Sequence, residues 1–226
     1  MTTRSEPDTC ELSLWDAMRA GAGAMSDQFV RFAIGNLVWL AVVGAALLVG
    51  RVYVPGNVLL VLGVGASCGL CRMAACTIRG KPAVLTEMRT GLAQRGWTGF
   101  GFGCLQLVIV AVAATNITIA VQTPRLPMIL SAVVSGYAGV FVAATILVAW
   151  PLLLDPDREQ MAIGQVVRLG LVVIAARPGR HLALVILEAF LVAVGLQTFV
   201  AALVLPAFGL LVACWVVLPL ADDLTR

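Results

Sequence analysis

Two runs without a charged residue lie almost end to end in this chain, Phe32–Gly50 and Val52–Cys71, with Arg51 between them. A helix needs about 20 such residues to cross a bilayer. The runs therefore fix the solvent before any chemistry is considered: much of the chain belongs in hydrocarbon. Composition agrees. Hydrophobic residues are 61% of the sequence and charged residues 12%, where a soluble domain is about half apolar and about a quarter charged.

Six spans are expected. The first is Phe32–Gly50, ended by Arg51 and the Val54-Pro55-Gly56-Asn57 reversal. The second is Val58–Ile78, the third Gly96–Val121, and the fourth Met128–Leu154, entered through the Pro124–Pro127 turn. Leu182–Leu220 would extend to nearly 60 Å as one helix, against a hydrocarbon core of about 30 Å, so it must fold back on itself. That turn is placed near Gln197–Ala202, with Pro206 in the first turns of span six. Met161–Ala176 is apolar but has Arg168 at its centre. A mid-span arginine costs about 2.5–3.5 kcal/mol, so this stretch is read as an interfacial helix.

The arginines orient the bundle. With the N-terminus in the cytoplasm, every basic residue except Arg51 and Arg125 falls on the inner side, as the positive-inside bias requires. The acidic first 28 residues, with Glu6, Asp8, Glu11, Asp16 and Asp27, do not have the make-up of a cleaved signal. The expectation is a cytoplasmic tail with an amphipathic helix (1–28), one transmembrane domain (29–222) and a short cytoplasmic tail (223–226). The fold class is all-α: a polytopic membrane bundle of about six helices in three hairpins, in a bacterial plasma membrane with both termini inside.

A threefold rhythm runs through the chain: an amphipathic inner helix, a break, then a hairpin. Trp15, Met18, Ala22, Met25 and Phe29 form the first stripe at helical spacing, with Ser13 and Asp16 as its cap. Val84, Leu85, Met88 and Leu92 share the second face, with Thr86, Glu87, Arg89 and Arg95 toward the other. Gln160–Ala176 is the third. Such helices can lie along the inner leaflet or form a docking face.

Chemistry-bearing residues are few. Glu188 is the one acidic residue inside an expected span, and an intramembrane carboxylate is a functional-site hypothesis by default. Pairing with Arg177, Arg180 or His181, or simple protonation, is the structural alternative. Asn36, Gln106 and Asn116 are polar at membrane depth and suit bonds between helices; Asn36 and Gln106 join Glu188 as candidate binding residues. His181 is the sole histidine, and no nucleophile elbow or phosphate loop occurs. No catalytic residue, cofactor or metal site is expected. The six cysteines read as packing residues, and Asp155, Asp157 and Arg158 as a solvated turn. Gly65/Gly69, Gly99/Gly103 and Ala132/Gly136 have the four-residue spacing that brings helices close, within the bundle or in a homo-oligomer. Trp97 and Trp150 suit interfacial anchoring, Trp39 and Trp215 packing. The basic residues lack an aromatic platform for nucleic acid.

The order of these features resembles the YesL-like family of small bacterial membrane proteins. It rests on Asn36-Leu37 and Trp39-Leu40 opening the first span, the Pro55-Gly56 reversal and the basic Arg79–Arg95 connection. Trp150-Pro151-Leu152 closing span four and Arg177-Pro178 before span five complete it. It extends over about Trp15–Leu220, and the cysteine-bearing second span departs from the family's pattern. The resemblance implies an accessory protein associated with carbohydrate uptake, particularly ABC-type importers, without catalytic residues to carry over. The expected partners are the bilayer and the membrane subunits of such a transporter. The alternative is a stand-alone small-solute or ion transporter that uses Glu188.

Overall fold

In hydrocarbon a chain must close its own backbone hydrogen bonds, and this one does so as helices. The computed structural model describes residues 13–53, 60–195, 197 and 199–225. It is 89% helical, and no strand occurs among the described residues. The helices are α1 (Leu14–Asp27), α2 (Phe29–Val52), α3 (Leu60–Ile78), α4 (Leu85–Gln122), α5 (Leu126–Leu154), α6 (Ile163–Ala176), α7 (Pro178–Gly195) and α8 (Phe199–Thr225). Cys10, the Pro55-Gly56 reversal and the Gln106 side chain lie outside the described residues, as does part of the expected Gln197–Ala202 turn.

Five helices are long and apolar enough to cross a membrane: α2, α4, α5, α7 and the Val204–Thr225 part of α8. The chain is a multi-pass helical membrane protein. The apolar part of α3, Leu62–Ile78, is shorter, but α3 packs against α2 on one side and α4 on the other. The expected pairs α2–α3, α4–α5 and α7–α8 all form, and α3–α4 packs more extensively than either α2–α3 or α7–α8. At 14 residues, α6 extends to about 21 Å, too short to cross a core of about 30 Å. Arg168 on it is exposed.

The axis of the bundle is α8. Of its span 61% is buried, against 12–22% for the other four, and it touches α1, α2, α3, α5, α6 and α7. Leu211, Val212, Ala213, Val217 and Leu218 on it are fully buried. The α4–α5 hairpin is the opposite case. Its far half leaves Leu105, Val112, Val133, Val134 and Tyr137 exposed, and Asn116 Nδ2 donates to Ser135 Oγ at 2.6 Å inside it.

Two expectations about the amphipathic segments are corrected. The helix opening after Pro82 has no break: α4 runs for 38 residues, with no proline between Pro82 and Pro124 to interrupt it. On α1 the buried face is Ala17, Gly21 and Met25, while Trp15 and Phe29 are exposed. Small residues let α1 lie close to α8, and a Cβ on Gly21 would sit 3.3 Å from Val212 Cγ2. The cap is as expected: Ser13 and Asp16 form a full capping box.

The glycine pairs are used inside the chain. A Cβ on Gly69 would meet Met88, one on Gly99 the Cys68 thiol, and one on Gly103 the Val64 side chain. They form the α3–α4 seam. Gly136 faces open space. Trp150, expected at an interface, is buried, because α3 and α8 pack against α5 and place it in the core cluster.

Candidate functional site

Helix α3 ends in a left-handed glycine. Gly80 has φ 70°, Gly80 N–H donates to Thr77 O at 3.1 Å and Lys81 N–H to Cys76 O at 2.8 Å, the double bond of a Schellman cap. This stop places Arg72 on α3, and Arg79 in the turn directly after it, against the ends of α5 and α8. Arg79 grips Asp155 with Nε on Oδ1 at 3.0 Å and Nη2 on Oδ2 at 2.5 Å. Its Nη1 donates to Asp222 Oδ2 at 2.7 Å, and its Nε lies 3.2 Å from Asp157. Arg158 bonds Asp155 at 2.7 Å and also Asp222. Lys81 reaches Asp157 at 3.0 Å. The Asp155 hydrogen bonds, then those from Asp222, hold the Arg79 guanidinium even more firmly protonated than usual, against the opposing effect of burial.

A second cluster lies beside it. Arg72, buried, donates to the Leu154 carbonyl at 3.1 Å, to Glu87 at 3.2 Å and to Glu159. Arg95 donates to the Met161 carbonyl at 2.8 Å and to that of Glu159. The expectation of a solvated turn at Asp155–Arg158 holds for Asp157, which is exposed, and is overturned for Asp155. Asp155 is fully buried, because it meets guanidinium groups from the turn after α3 and from its own loop. Glu87 and Arg95, expected to face away from the packed side, turn inward for the same reason. With its carboxylates committed to guanidinium groups, this end of the bundle is a clamp. No group of three potential metal ligands occurs among the described residues.

Glu188 stands elsewhere. It is ten residues into α7, about 15 Å from the start of the helix, since α7 begins at Pro178 and not at Leu182. His181 lies about 10 Å back along the same helix, with Nδ1–H donating to Arg177 O at 2.9 Å. No ion pair among the described residues includes Glu188. Its Oε1 is buried and accepts no hydrogen bond. The carboxyl rests over Gly209 of α8, where a Cβ would fall 2.7 Å from Oε1. It lines a crevice of about 230 Å³ between α2, α7 and α8, with Trp39, Val43, Leu47, Leu191 and Pro206 among its walls.

Asn36 is fully buried, and its Nδ2 donates to Val204 O on α8 at 3.4 Å. It ties α2 to α8 next to the crevice without lining it. The Gln106 side chain lies outside the described residues, and none of the described wall residues comes from α4. Of the two candidates whose side chains are described, Glu188 lines the crevice and Asn36 does not. The cysteines are free and mostly buried, as expected of packing residues.

A second, larger groove of about 550 Å³ lies between α2, α3 and α4. Leu62, Gly65, Leu92, Trp97 and Phe100 line it, and the Trp97 and Phe100 rings meet edge to face at 5.9 Å. Trp97 is 86% exposed, as an anchoring tryptophan should be. Sequence reasoning flagged Leu92 and Trp97 separately; their placement on one continuous α4 made them neighbours. Compared with protein-family models, with curated proteins and with solved structures, the chain matches none.

Proposed function

We propose that this protein is a non-catalytic membrane partner that assists or regulates a carbohydrate importer of the ABC type. It works in a bacterial plasma membrane with both termini on the cytoplasmic side. The observation that carries the reading is the α2–α3–α4 groove, an apolar recess flanked by the exposed Leu92 and Trp97. Its occupant is an apolar transmembrane helix of a transporter subunit, packed by shape as helices are in lipid. The ion-paired clamp supports the same reading, because it ties α4, the main wall of the groove, to α3 and the α5–α6 connection. The resemblance to YesL-like proteins supplies the class of partner.

The test is co-purification with importer subunits in mild detergent, together with sugar uptake in a deletion strain. Leu92→Glu and Trp97→Ala alter exposed side chains and should release the partner while leaving the melting temperature of the isolated protein unchanged. Purification without a partner, with uptake unchanged on deletion, overturns the reading.

One observation favours a second reading, a small-solute or ion transporter: the crevice that reaches the Glu188 carboxyl. Flux in liposomes that Glu188→Gln abolishes is the measurement that would establish it.

A further inference from the structure

The crevice at Glu188 has a composition that specifies what it can hold. Its one charged lining group is the carboxyl, and the remainder of the wall is apolar or aromatic. Trp39 has no donor to offer, since its indole N–H is committed to Ser67 Oγ at 2.8 Å. What it contributes is ring surface. Oε1 is buried with no partner, and no ion pair among the described residues reaches it. Gly209 provides the recess in which the carboxyl rests.

The shape is equally restrictive. From Trp39 to Leu47 the α2 wall rises about 12 Å. The volume of about 230 Å³ is below the roughly 300–1,000 Å³ of pockets for drug-sized molecules. Gly44 and Leu47 also line an adjoining cavity of about 590 Å³ that extends to Gly50 and Arg51 at the end of α2. Gly44 and Leu47 thus stand where the crevice meets that open groove along α2. A buried carboxylate, a ring face and a short apolar tube complement a positive charge carried on a slim apolar body.

We infer that the α2–α7–α8 crevice is a binding site for a small organic cation of the alkylammonium class, with its ammonium group on the Glu188 carboxylate and its chain along Val43 and Leu47. This deepens the transporter reading by naming a ligand class, but rests on the crevice alone. A ligand that binds without crossing would leave this inference standing and overturn that reading.

The experiment uses the full chain in detergent and radiolabelled hexylammonium, with equilibrium dialysis as the readout and protein-free micelles as the baseline. One saturable site per chain is expected, with hexanol failing to compete. Glu188→Gln should weaken binding at least tenfold. Gly44→Leu should do the same without touching the carboxyl: a Cβ there meets no described atom within 4 Å, so the added bulk enters the mouth of the crevice, and an unchanged melting temperature shows that the fold is kept. In parallel, dicyclohexylcarbodiimide should label Glu188, read by mass spectrometry of the peptide, and hexylammonium should slow that labelling severalfold. Binding no greater than to micelles, equal binding by both variants, equal competition by hexanol, or labelling without protection would each overturn the inference.

Discussion

Arg79 and Asp155 meet as a two-pronged fork, although 76 residues separate them in the chain. The Asp155 side chain is fully buried and that of Arg79 is 16% exposed. Removing one member of such a pair leaves the other charged and dry, which costs about 3–5 kcal/mol. Arg79→Ala should fall near the lower end, about 3 kcal/mol, because Arg158 still reaches Asp155. Arg79→Lys should recover only part of this, since an ammonium cannot span both oxygens. Thermal unfolding in detergent measures both, and a melting temperature unchanged by Arg79→Ala would show that the clamp does not hold the bundle.

The cap of α1 gives a pH dependence of definite sign. The Ser13 hydroxyl, then the Ser13 backbone N–H, then the Arg19 charge hold the Asp16 carboxyl below its ordinary value. A depressed folded value means that the contribution is present above the unfolded carboxylate value of about 3.9 and is lost as pH falls through the lower, folded one. A carbon-13 titration of the Asp16 carboxyl should show its midpoint below that of a free aspartate. Ser13→Ala should move it back, and failure to move would place the cause elsewhere.

The seam between α3 and α4 predicts a paired rescue. A methyl group on Gly103 would press into Val64, and overpacking costs about 1–3 kcal/mol, offset by about 1 kcal/mol of helix propensity. Gly103→Ala should therefore destabilise by up to about 2 kcal/mol, and Val64→Ala in the same chain should restore most of what is lost. Size-exclusion chromatography with light scattering should show the oligomeric state of Gly103→Ala unchanged, because this glycine face is spent within one chain. A change in that state would instead assign the face to an interface between copies.

Hydropathy and charge made the helical spans legible, because a run of apolar residues has one stable form in lipid. Which face of each helix points inward was not. The sequence stripe chose Trp15 on α1 and Phe29 at the start of α2, yet both are exposed, and on α1 Ala17 and Gly21 pack. In water apolarity marks the inside, whereas in a membrane both faces are apolar and small size marks the contact. Asp155 was misread for a different reason. Its local setting, Asp-Pro-Asp-Arg, is that of a surface turn, and the guanidinium that buries it comes from the turn after another helix. Glu188 was visible as a lone carboxylate, but its recess depends on Gly209, which no spacing rule connects to it.

That recess supplies the last expectation. Glu188 and Gly209 come from α7 and α8, and the carboxyl occupies the volume a Cβ would need. Gly209→Ala must push the carboxyl away from α8, at a cost of about 1–3 kcal/mol. If the steric account is right, the cost disappears when the carboxyl is removed: Glu188→Ala with Gly209→Ala should be no less stable than Glu188→Ala alone. The coupling in that double-mutant cycle should lie within about 0.5–3 kcal/mol, the range found for residues in contact. Chemical or thermal unfolding of the four proteins in one detergent gives the number. Additive losses would mean that Gly209 serves the α8 backbone rather than the carboxyl, and that the niche beneath Glu188 is incidental to its placement.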